Sequence, residues 1–193
     1  KGMVKRAKKL AKQNIDKIKN LINKENVLVG IEPSSLLSFR DEYPSLVEED
    51  IEQLNSNIYL FDEFFAKEIE ENNISAEQFT QKAEKILLHG HCQQKALIGS
   101  VYMEKMLSLP KNYSVEVIPS GCCGMAGSYG YEARHYEKSK QIADLHLTKA
   151  INKADKSTII SAPGTSCREQ IKHFTQRKAL HPIEIMYNAL KTK

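Results

Sequence analysis

The chain has 193 residues, of which 41% are hydrophobic and 27% are charged, and its net charge is +4. This composition is typical of a soluble globular protein with one sizeable core or two small halves that share one, and no apolar run is long enough to span a membrane or to form a signal peptide. The basic positions of residues 1–12 carry no interleaved aromatic residues, so we expect the exposed face of an amphipathic helix there and no nucleic-acid partner.

The first half of the chain alternates between helical and strand patterns. Apolar residues at helical spacing predict a helix over residues 3–23, and a β-branched apolar run predicts a buried strand over 26–32. Proline at the start of the next segment predicts a helix over 33–43. The apolar residues 58–61 then lead into a predicted helix over 62–69.

The second half repeats this alternation more regularly. Short apolar runs predict three further strands, at residues 85–89, 114–119 and 157–161. Helical patterns cover residues 93–107, 131–152, 167–175 and 182–190. This order predicts an α/β fold, with a mainly parallel sheet of about four to five strands flanked by helices.

The four cysteines follow predicted strands. Cys92, the pair Cys122 and Cys123, and Cys167 each lie just beyond the end of a different strand. Open α/β sheets place their sites at the carboxyl ends of parallel strands, so we expect all four thiols at one edge of the sheet. Without secretory features, four cysteines indicate a reducing compartment and metal or redox use.

The order of elements also repeats within the chain. The helix and strand of residues 3–32 correspond to those of residues 131–161, and residues 59–63 correspond to 179–183. The arrangement indicates a pseudo-duplicated unit whose first copy is incomplete, with Ser35 where the second copy has Cys167. Because the chain begins with Lys1, we expect it to be part of a longer protein.

Residues 120–130 contain both adjacent cysteines and a glycine at every third position, Gly121, Gly124, Gly127 and Gly130. Such a loop lets the backbone approach a bound group closely. Thiolates bind zinc or an iron–sulfur cluster. Structural zinc sites usually pair cysteines as C-x-x-C, whereas the side chains of adjacent cysteines diverge and could reach different irons of a cluster. Inert thiols, a vicinal disulfide and phosphate binding by the glycines remain alternatives.

Two histidines precede the first cysteine. His89 and His91 could serve as ligands or as hydrogen-bond donors to sulfur, and alternation along an extended segment puts both on one side. His173 and His181 are expected at the surface or in packing. No catalytic residues are assigned, because neither paired carboxylates nor a Ser–His–Asp arrangement can be argued from the order of residues.

Three segments, residues 89–97, 120–132 and 165–171, resemble the cysteine-rich CCG domain. This is the domain of the heterodisulfide reductase B subunit and of the glycolate oxidase iron–sulfur subunit. The version at the end of large fused FAD-linked oxidases is especially similar, and residues 32–44 and 179–182 also resemble that group. The similarity covers nearly the whole chain.

The resemblance implies two tandem CCG units in a parent protein. Residues 1–84 would be the tail of the first unit, and residues 85–193 the complete second unit with the metal site. It implies Cys92, Cys122, Cys123 and Cys167 as ligands, with His91, Gly121, Gly124 and Gly164 in the surrounding layer. The B-subunit pattern has a further cysteine where this chain has Gly164, so four thiolates are expected rather than five.

The resemblance further implies an electron-transfer module of an FAD-linked dehydrogenase of D-2-hydroxy acids, of the D-lactate, glycolate or D-2-hydroxyglutarate type. The expected cofactor is an iron–sulfur cluster, 4Fe–4S, with zinc or no metal as alternatives in this fragment; FAD would bind elsewhere in the parent. Expected partners are the upstream FAD and ferredoxin-like domains and a quinone or other carrier. A cytoplasmic location is expected, with peripheral association at the inner face of the membrane. The alternative functions are a zinc-binding structural or interaction domain and a thiol redox protein that uses Cys122 and Cys123.

Overall fold

The computed structural model of the chain describes residues 2–191. Its strands are β1 (Leu28–Gly30), β2 (Ile58–Leu60), β3 (Glu84–Leu88), β4 (Tyr113–Val117), β5 (Ile159–Ser161) and β6 (Ala179–Leu180). Its α-helices are α1 (Val4–Ile18), α2 (Pro33–Leu36), α3 (Tyr43–Leu46), α4 (Glu52–Asn55), α5 (Phe61–Glu70), α6 (Cys92–Leu97), α7 (Val101–Leu107), α8 (Tyr136–Leu145), α9 (Leu147–Lys153), α10 (Thr165–Thr175) and α11 (Pro182–Ala189).

The strands form two parallel sheets. The larger sheet has the order β4-β3-β5-β6, and β1 pairs with β2 in a separate two-stranded sheet. The α/β class and the parallel sheet are therefore confirmed. The larger sheet has four strands, within the four to five expected.

The larger sheet is covered by helices on both faces. Successive residues of β3 point to opposite sides of the sheet and so enter two different cores. Leu87 belongs to a core that includes Ile151 of α9 and Ile171 of α10. Ile86 and Leu88 belong to a second core with residues of α5, α7 and α11. Burial on both faces explains why the last three residues of β3, 86–88, form an uninterrupted apolar run.

Two predicted helices of the second half are broken in the structure. The helix expected over residues 93–107 divides into α6 and α7 at Gly99, whose φ of +78° lies in the left-handed region. The helix expected over 131–152 begins as a short 3₁₀ turn, Ala133–His135, and then divides into α8 and α9 at His146. His146 has φ −139°, which no regular helix accommodates.

The helices of the first half are also shorter than expected. The helix predicted over 3–23 ends at Ile18, and Leu21 beyond it is 67% exposed, so its apolar side chain has no core to join. The helix predicted over 33–43 consists of α2 and a 3₁₀ turn, and α3 begins separately at Tyr43. Pro44 lies in the first turn of α3, where its missing N–H costs no hydrogen bond.

The structure repeats a local arrangement in the two halves. After β2, Glu63 of α5 accepts a hydrogen bond from the Leu60 N–H at 2.9 Å, which caps the helix. After β6, Glu184 of α11 accepts one from the His181 N–H at 2.7 Å. In both halves a parallel strand pair is therefore followed by a helix capped by a glutamate in its first turn. The division of the chain at residue 84 stays a prediction.

His181 connects the halves and is buried, as expected for a packing histidine. Its Nε2 is 2.9 Å from the Ile31 carbonyl oxygen, and its Nδ1 accepts a hydrogen bond from the Ile183 N–H. Both ring nitrogens are thus paired, with the Nε2–H donating to Ile31.

Among the helices within residues 2–191, none has both the length and the apolar character that a membrane span requires.

Candidate metal centre

The four cysteines are delivered by three adjacent strands of the larger sheet. Cys92 begins α6 just after β3, Cys122 and Cys123 lie in the loop after β4, and Cys167 lies in the first turn of α10 after β5. Since β4, β3 and β5 are parallel neighbours, their carboxyl ends meet at one edge. The expected convergence of the thiols is present in the structure.

The thiols form a continuous series of contacts. The pKa of each thiol responds to a neighbouring thiol, Cys92 to Cys122, Cys122 to Cys123, and Cys123 to Cys167, so each pair lies close together. Cys92 is exposed, Cys122 is partly buried, and Cys123 and Cys167 are buried. The adjacent thiols of Cys122 and Cys123 are close enough for each to affect the pKa of the other. The series runs from the solvent at Cys92 to the core at Cys167.

His89 extends this series into the core. Its side chain is fully buried, and its Nδ1 lies 2.7 Å from the Ser120 hydroxyl oxygen. Its Nε2 has no hydrogen-bond partner of nitrogen or oxygen among the described residues. One ligand atom each from His89, Cys123 and Cys167 lie within 4.8 Å of one another. An imidazole nitrogen and two sulfurs at this separation are a donor set that suits a soft metal.

His91 lies beside Gly164. A Cβ on Gly164 would lie 2.6 Å from the His91 Cδ2 and 3.2 Å from the Cys167 Sγ. His91 Nδ1 is buried without a hydrogen-bond partner in the part of the chain that the structure describes. The imidazole of His91 thus fills the space that a side chain at position 164 would need, which explains why glycine stands there.

The loop after β4 is held by its backbone. Gly124 has φ +98°, and its N–H donates to the Cys122 Sγ at 3.2 Å. A Cβ at Gly124 would lie 2.2 Å from the Ser139 carbonyl oxygen, so glycine is required there. Gln170 donates to the Cys123 carbonyl oxygen and to the Ser139 hydroxyl, and that hydroxyl donates to the Gly124 carbonyl oxygen. Sequence reasoning missed Gln170 and Ser139, because polar residues within helices carry no local signal for such a role.

Gly121 offers a backbone carbonyl directly before Cys122. A Cβ at Gly121 would meet nothing within 4 Å, so its lack of a side chain is not required by space. Its carbonyl oxygen accepts a hydrogen bond from Lys95. Besides Gly124, the N–H groups that lower thiol pKa values belong to Gln93, Met125 and Ala126.

Hydrogen bonds between thiols move the cysteine pKa values in opposite directions. The pKa of Cys122 is lowered by its hydrogen bonds with Cys123 and then Cys92, and that of Cys167 is lowered by its hydrogen bond with Cys123. The pKa values of Cys92 and Cys123 are raised, because each hydrogen-bonds with Cys122 and because burial disfavours another anion. The site favours thiolates at Cys122 and Cys167, and a bound metal cation would favour loss of the remaining thiol protons.

Comparison with curated proteins gives relatives that match nearly the whole chain. D-2-hydroxyglutarate dehydrogenase of Escherichia coli K12 is 30% identical over 192 residues, which are 99% of this chain and 18% of that protein. The protein of the same name from Pseudomonas putida is 30% identical over 181 residues, or 92% of this chain and 17% of that protein. The C subunit of anaerobic glycerol-3-phosphate dehydrogenase of E. coli K12 is 26% identical over 191 residues, or 98% of this chain and 47% of the relative.

The chain therefore spans less than half the length of each of these relatives. No family model matches the chain, and no solved structure matches it. Oxidoreductases are the class of protein that the names of these relatives have in common.

Proposed function

We propose that this chain is an electron-transfer module of an FAD-linked dehydrogenase, with an iron–sulfur cluster of the 4Fe–4S type held by Cys92, Cys122, Cys123 and Cys167. The observation that carries the proposal is the meeting of four thiols from the ends of three parallel strands. Their donor chemistry fits such a cluster, which four thiolates usually hold. The similarity to dehydrogenases over 99% of the chain supports the redox role.

When bound, the cluster would supply a centre that accepts and releases single electrons. The protein would contribute two thiolates that its own hydrogen bonds already favour, at Cys122 and Cys167. The Gly124 N–H would donate to the Cys122 sulfur, which stabilises negative charge there. Burial of Cys123 and Cys167 would exclude water from the inner side, while exposed Cys92 would leave the outer side open to a redox partner.

Anaerobic reconstitution tests this proposal. The chain is treated with ferrous iron and sulfide, and iron, acid-labile sulfide and visible absorption are measured after desalting. Each of the substitutions Cys92→Ser, Cys122→Ser, Cys123→Ser and Cys167→Ser is expected to lower the iron content and the absorption. Ser108→Ala is the control, because Ser108 is exposed and lies between α7 and β4, at the opposite end of β4 from the cysteines. A chain with intact thiols that takes up no iron would contradict the proposal.

A zinc site is a second candidate, and a specific observation favours it. Three ligand atoms, one each from His89, Cys123 and Cys167, lie within 4.8 Å of one another. A structural zinc site has four ligands in a tetrahedron, and these three could be part of such a set. Zinc thiolates are colourless, so metal analysis together with the visible spectrum separates zinc from a cluster. If Cys122 and Cys123 instead cycle as a disulfide, mass measurement after alkylation would reveal two thiols that react only after reduction.

The proposed centre also needs an electron donor and an electron acceptor. Since the chain spans only 18% of the E. coli D-2-hydroxyglutarate dehydrogenase, we propose that FAD and ferredoxin-like domains lie elsewhere in the parent and supply the electrons. The substrate would be a D-2-hydroxy acid, and a quinone or another carrier would accept the electrons at the cytoplasmic face of the membrane. The isolated chain is expected not to reduce a dye with D-2-hydroxyglutarate, and dye reduction by the chain alone would overturn this assignment.

A further inference from the structure

Lys95 is a partly buried cation next to the centre that neither the cysteine pattern nor the comparisons single out. It lies on α6, three residues after Cys92, and its Nζ donates to the carbonyl oxygens of Ser120 and of Gly121, the latter at 2.9 Å. Both acceptors immediately precede Cys122. Within residues 2–191, no carboxylate forms an ion pair with Lys95.

The backbone makes room for this lysine. A Cβ at Gly90 would lie 3.0 Å from both the Cγ and the Cδ of Lys95. Glycine at position 90 therefore lets the aliphatic part of Lys95 pass over the end of β3 and reach the loop after β4. The side chain connects two of the three strand ends that deliver the cysteines.

The charge of Lys95 acts on all four thiols. Partial burial lowers the pKa of Lys95, while Cys92, Cys167, Cys122 and Cys123 each raise it when they are thiolates. Two carbonyl acceptors hold the ammonium group in place, so its charge does not need to reorient when the centre becomes more negative. Exposed lysines would be screened by solvent and ions, whereas this one is partly shielded.

We propose that Lys95 is a positioning residue that fixes the loop entering Cys122 and whose charge balances the negative charge of the thiolate centre. The effect on the redox centre rests on the function proposed above, but the effects on the loop and on the thiolates do not. In an iron–sulfur centre, a fixed cation favours the more negative, reduced form. Loss of Lys95 should therefore make reduction harder without removing a ligand.

The first measurement uses the metal-free chain and reports the loop position. Hydrogen exchange of residues 120–124 is compared in the wild type, Lys95→Met and Lys95→Arg. Lys111→Met is the matched control, because Lys111 is exposed and precedes β4, at the opposite end of that strand. We expect exchange to be at least roughly fivefold faster in Lys95→Met, since one or two hydrogen bonds are lost. Unchanged exchange would overturn the positioning role.

The second measurement, also without metal, reports the charge. Alkylation of Cys92 by anionic iodoacetate and by neutral iodoacetamide is followed by mass spectrometry. The quantity compared is the rate with iodoacetate divided by the rate with iodoacetamide. Both reagents attack the same thiolate, so the ratio reports the local potential rather than the amount of thiolate. A nearby cation attracts the anionic reagent, and we expect the ratio to fall about threefold in Lys95→Met but not in Lys95→Arg or Lys111→Met. An unchanged ratio would overturn the charge role.

The third measurement uses the reconstituted chain. At a fixed ambient potential, the ratio of reduced to oxidised centre is expected to be about tenfold lower in Lys95→Met, which corresponds to 59 mV for a one-electron couple. Iron content should equal that of the wild type. An equal ratio at equal iron content would overturn the redox effect. If the wild type takes up no iron, the proposed function fails, while the first two measurements still decide the role of Lys95.

Discussion

The carboxylate of Glu32 accepts hydrogen bonds from both the backbone N–H and the hydroxyl group of Thr165, at 2.9 and 2.8 Å. Thr165 is the first residue of α10, the helix that carries Cys167, and it lies 133 residues further along the chain. Glu32 lies two residues after β1, a strand of the smaller sheet, and is the N-cap of α2. A residue of the first half therefore satisfies a free N–H at the start of the helix that completes the centre.

Replacing Glu32 should weaken the contact between the halves. We expect Glu32→Ala to lower the free energy of unfolding by about 1–2 kcal/mol, since it removes a cap and two charge-assisted hydrogen bonds from a partly buried site. Glu25→Ala is the control, because Glu25 is exposed. Urea unfolding measures the difference, and equal losses in the two variants would mean that the contact contributes nothing specific.

The pH dependence of this contact has a defined sign. Although partial burial acts to raise the pKa of Glu32, hydrogen bonds from Thr165 and Ser34 outweigh it, and the pKa is lowered. The stabilisation is therefore present above the ordinary pKa of the carboxyl group, 4.5, and is lost as the pH falls through the lower value in the folded protein. The difference between wild type and Glu32→Ala should accordingly shrink in acid.

Alanine should be far more damaging at one glycine of the loop after β4 than at another. At Gly124 an alanine would need φ +98° and would place its Cβ 2.2 Å from the Ser139 carbonyl oxygen, a backbone atom that cannot rotate away. We expect Gly124→Ala to destabilise the chain by about 3 kcal/mol or more. At Gly121 the space is open, so Gly121→Ala should change stability by less than about 1 kcal/mol.

Thermal unfolding of the metal-free chain measures both substitutions without involving any ligand. If Gly121→Ala were as damaging as Gly124→Ala, the requirement would come from the loop as a whole. The contrast expected from the structure is between a residue in close contact with α8 and one that only offers a carbonyl to Lys95.

Arg177 should contribute more to stability than its position in a polar loop suggests. Its guanidinium donates to backbone carbonyl oxygens that follow or end α9, those of Ile151, Ala154, Asp155, Lys156 and Thr158. A cation at the C-terminus of a helix satisfies orphan carbonyls and interacts favourably with the helix dipole. We expect Arg177→Met to cost roughly 2 kcal/mol in urea unfolding. Lys178→Met, at an exposed neighbour, is the control, and an equal effect there would contradict the assignment.

The sequence predicted the parts of the fold that depend on local pattern. Strands such as β3 were predictable because the burial of consecutive residues 86–88 on both faces demands an uninterrupted apolar run. The breaks at Gly99 and His146 were not, because the apolar spacing continues across them and only the backbone angles reveal the interruption. Helical periodicity indicates which face is buried, but a helix ends where tertiary packing requires it.

The candidate metal centre was also predictable only in part. The meeting of the cysteines followed from one rule, that parallel strands share a carboxyl edge. The supporting residues required the structure: Lys95 and Gln170 reach backbone carbonyls 26 and 47 residues away in the chain. The sequence indicated both His89 and His91 as candidates, but only the structure shows that a ring nitrogen of His89 lies near the sulfurs of Cys123 and Cys167 while His91 occupies the space beside Gly164.

Asp62 should make the stability of the chain depend on pH near neutrality. The residue is only 7% exposed, and its hydrogen-bonding side-chain partner is Gln94, whose Nε2 donates to Asp62 Oδ2 at 2.8 Å. Burial raises the pKa of Asp62 to about 7, with Glu63 adding to the increase and Arg40 opposing it. Gln94 Oε1 is buried and has no partner within the described residues. A protonated Asp62 would have a hydroxyl group to offer that oxygen.

The direction in which stability changes with pH follows from the number of protons that the folded and unfolded states bind. Between the ordinary pKa of 3.8 and the folded value of about 7, the folded state holds a proton that the unfolded state has released. The contribution of Asp62 to stability is therefore greatest below pH 3.8 and falls as the pH rises through this interval. We expect Asp62→Asn, which retains an acceptor for Gln94 and removes the charge, to be about 1–3 kcal/mol more stable than the wild type at pH 8. At pH 5 most of this advantage should disappear, since Asp62 is then neutral in the folded protein.

Urea unfolding from pH 5 to 8 measures the two curves, with Asp41→Asn at an exposed position as the control. Parallel curves for wild type and Asp62→Asn would show that Asp62 is charged throughout this range.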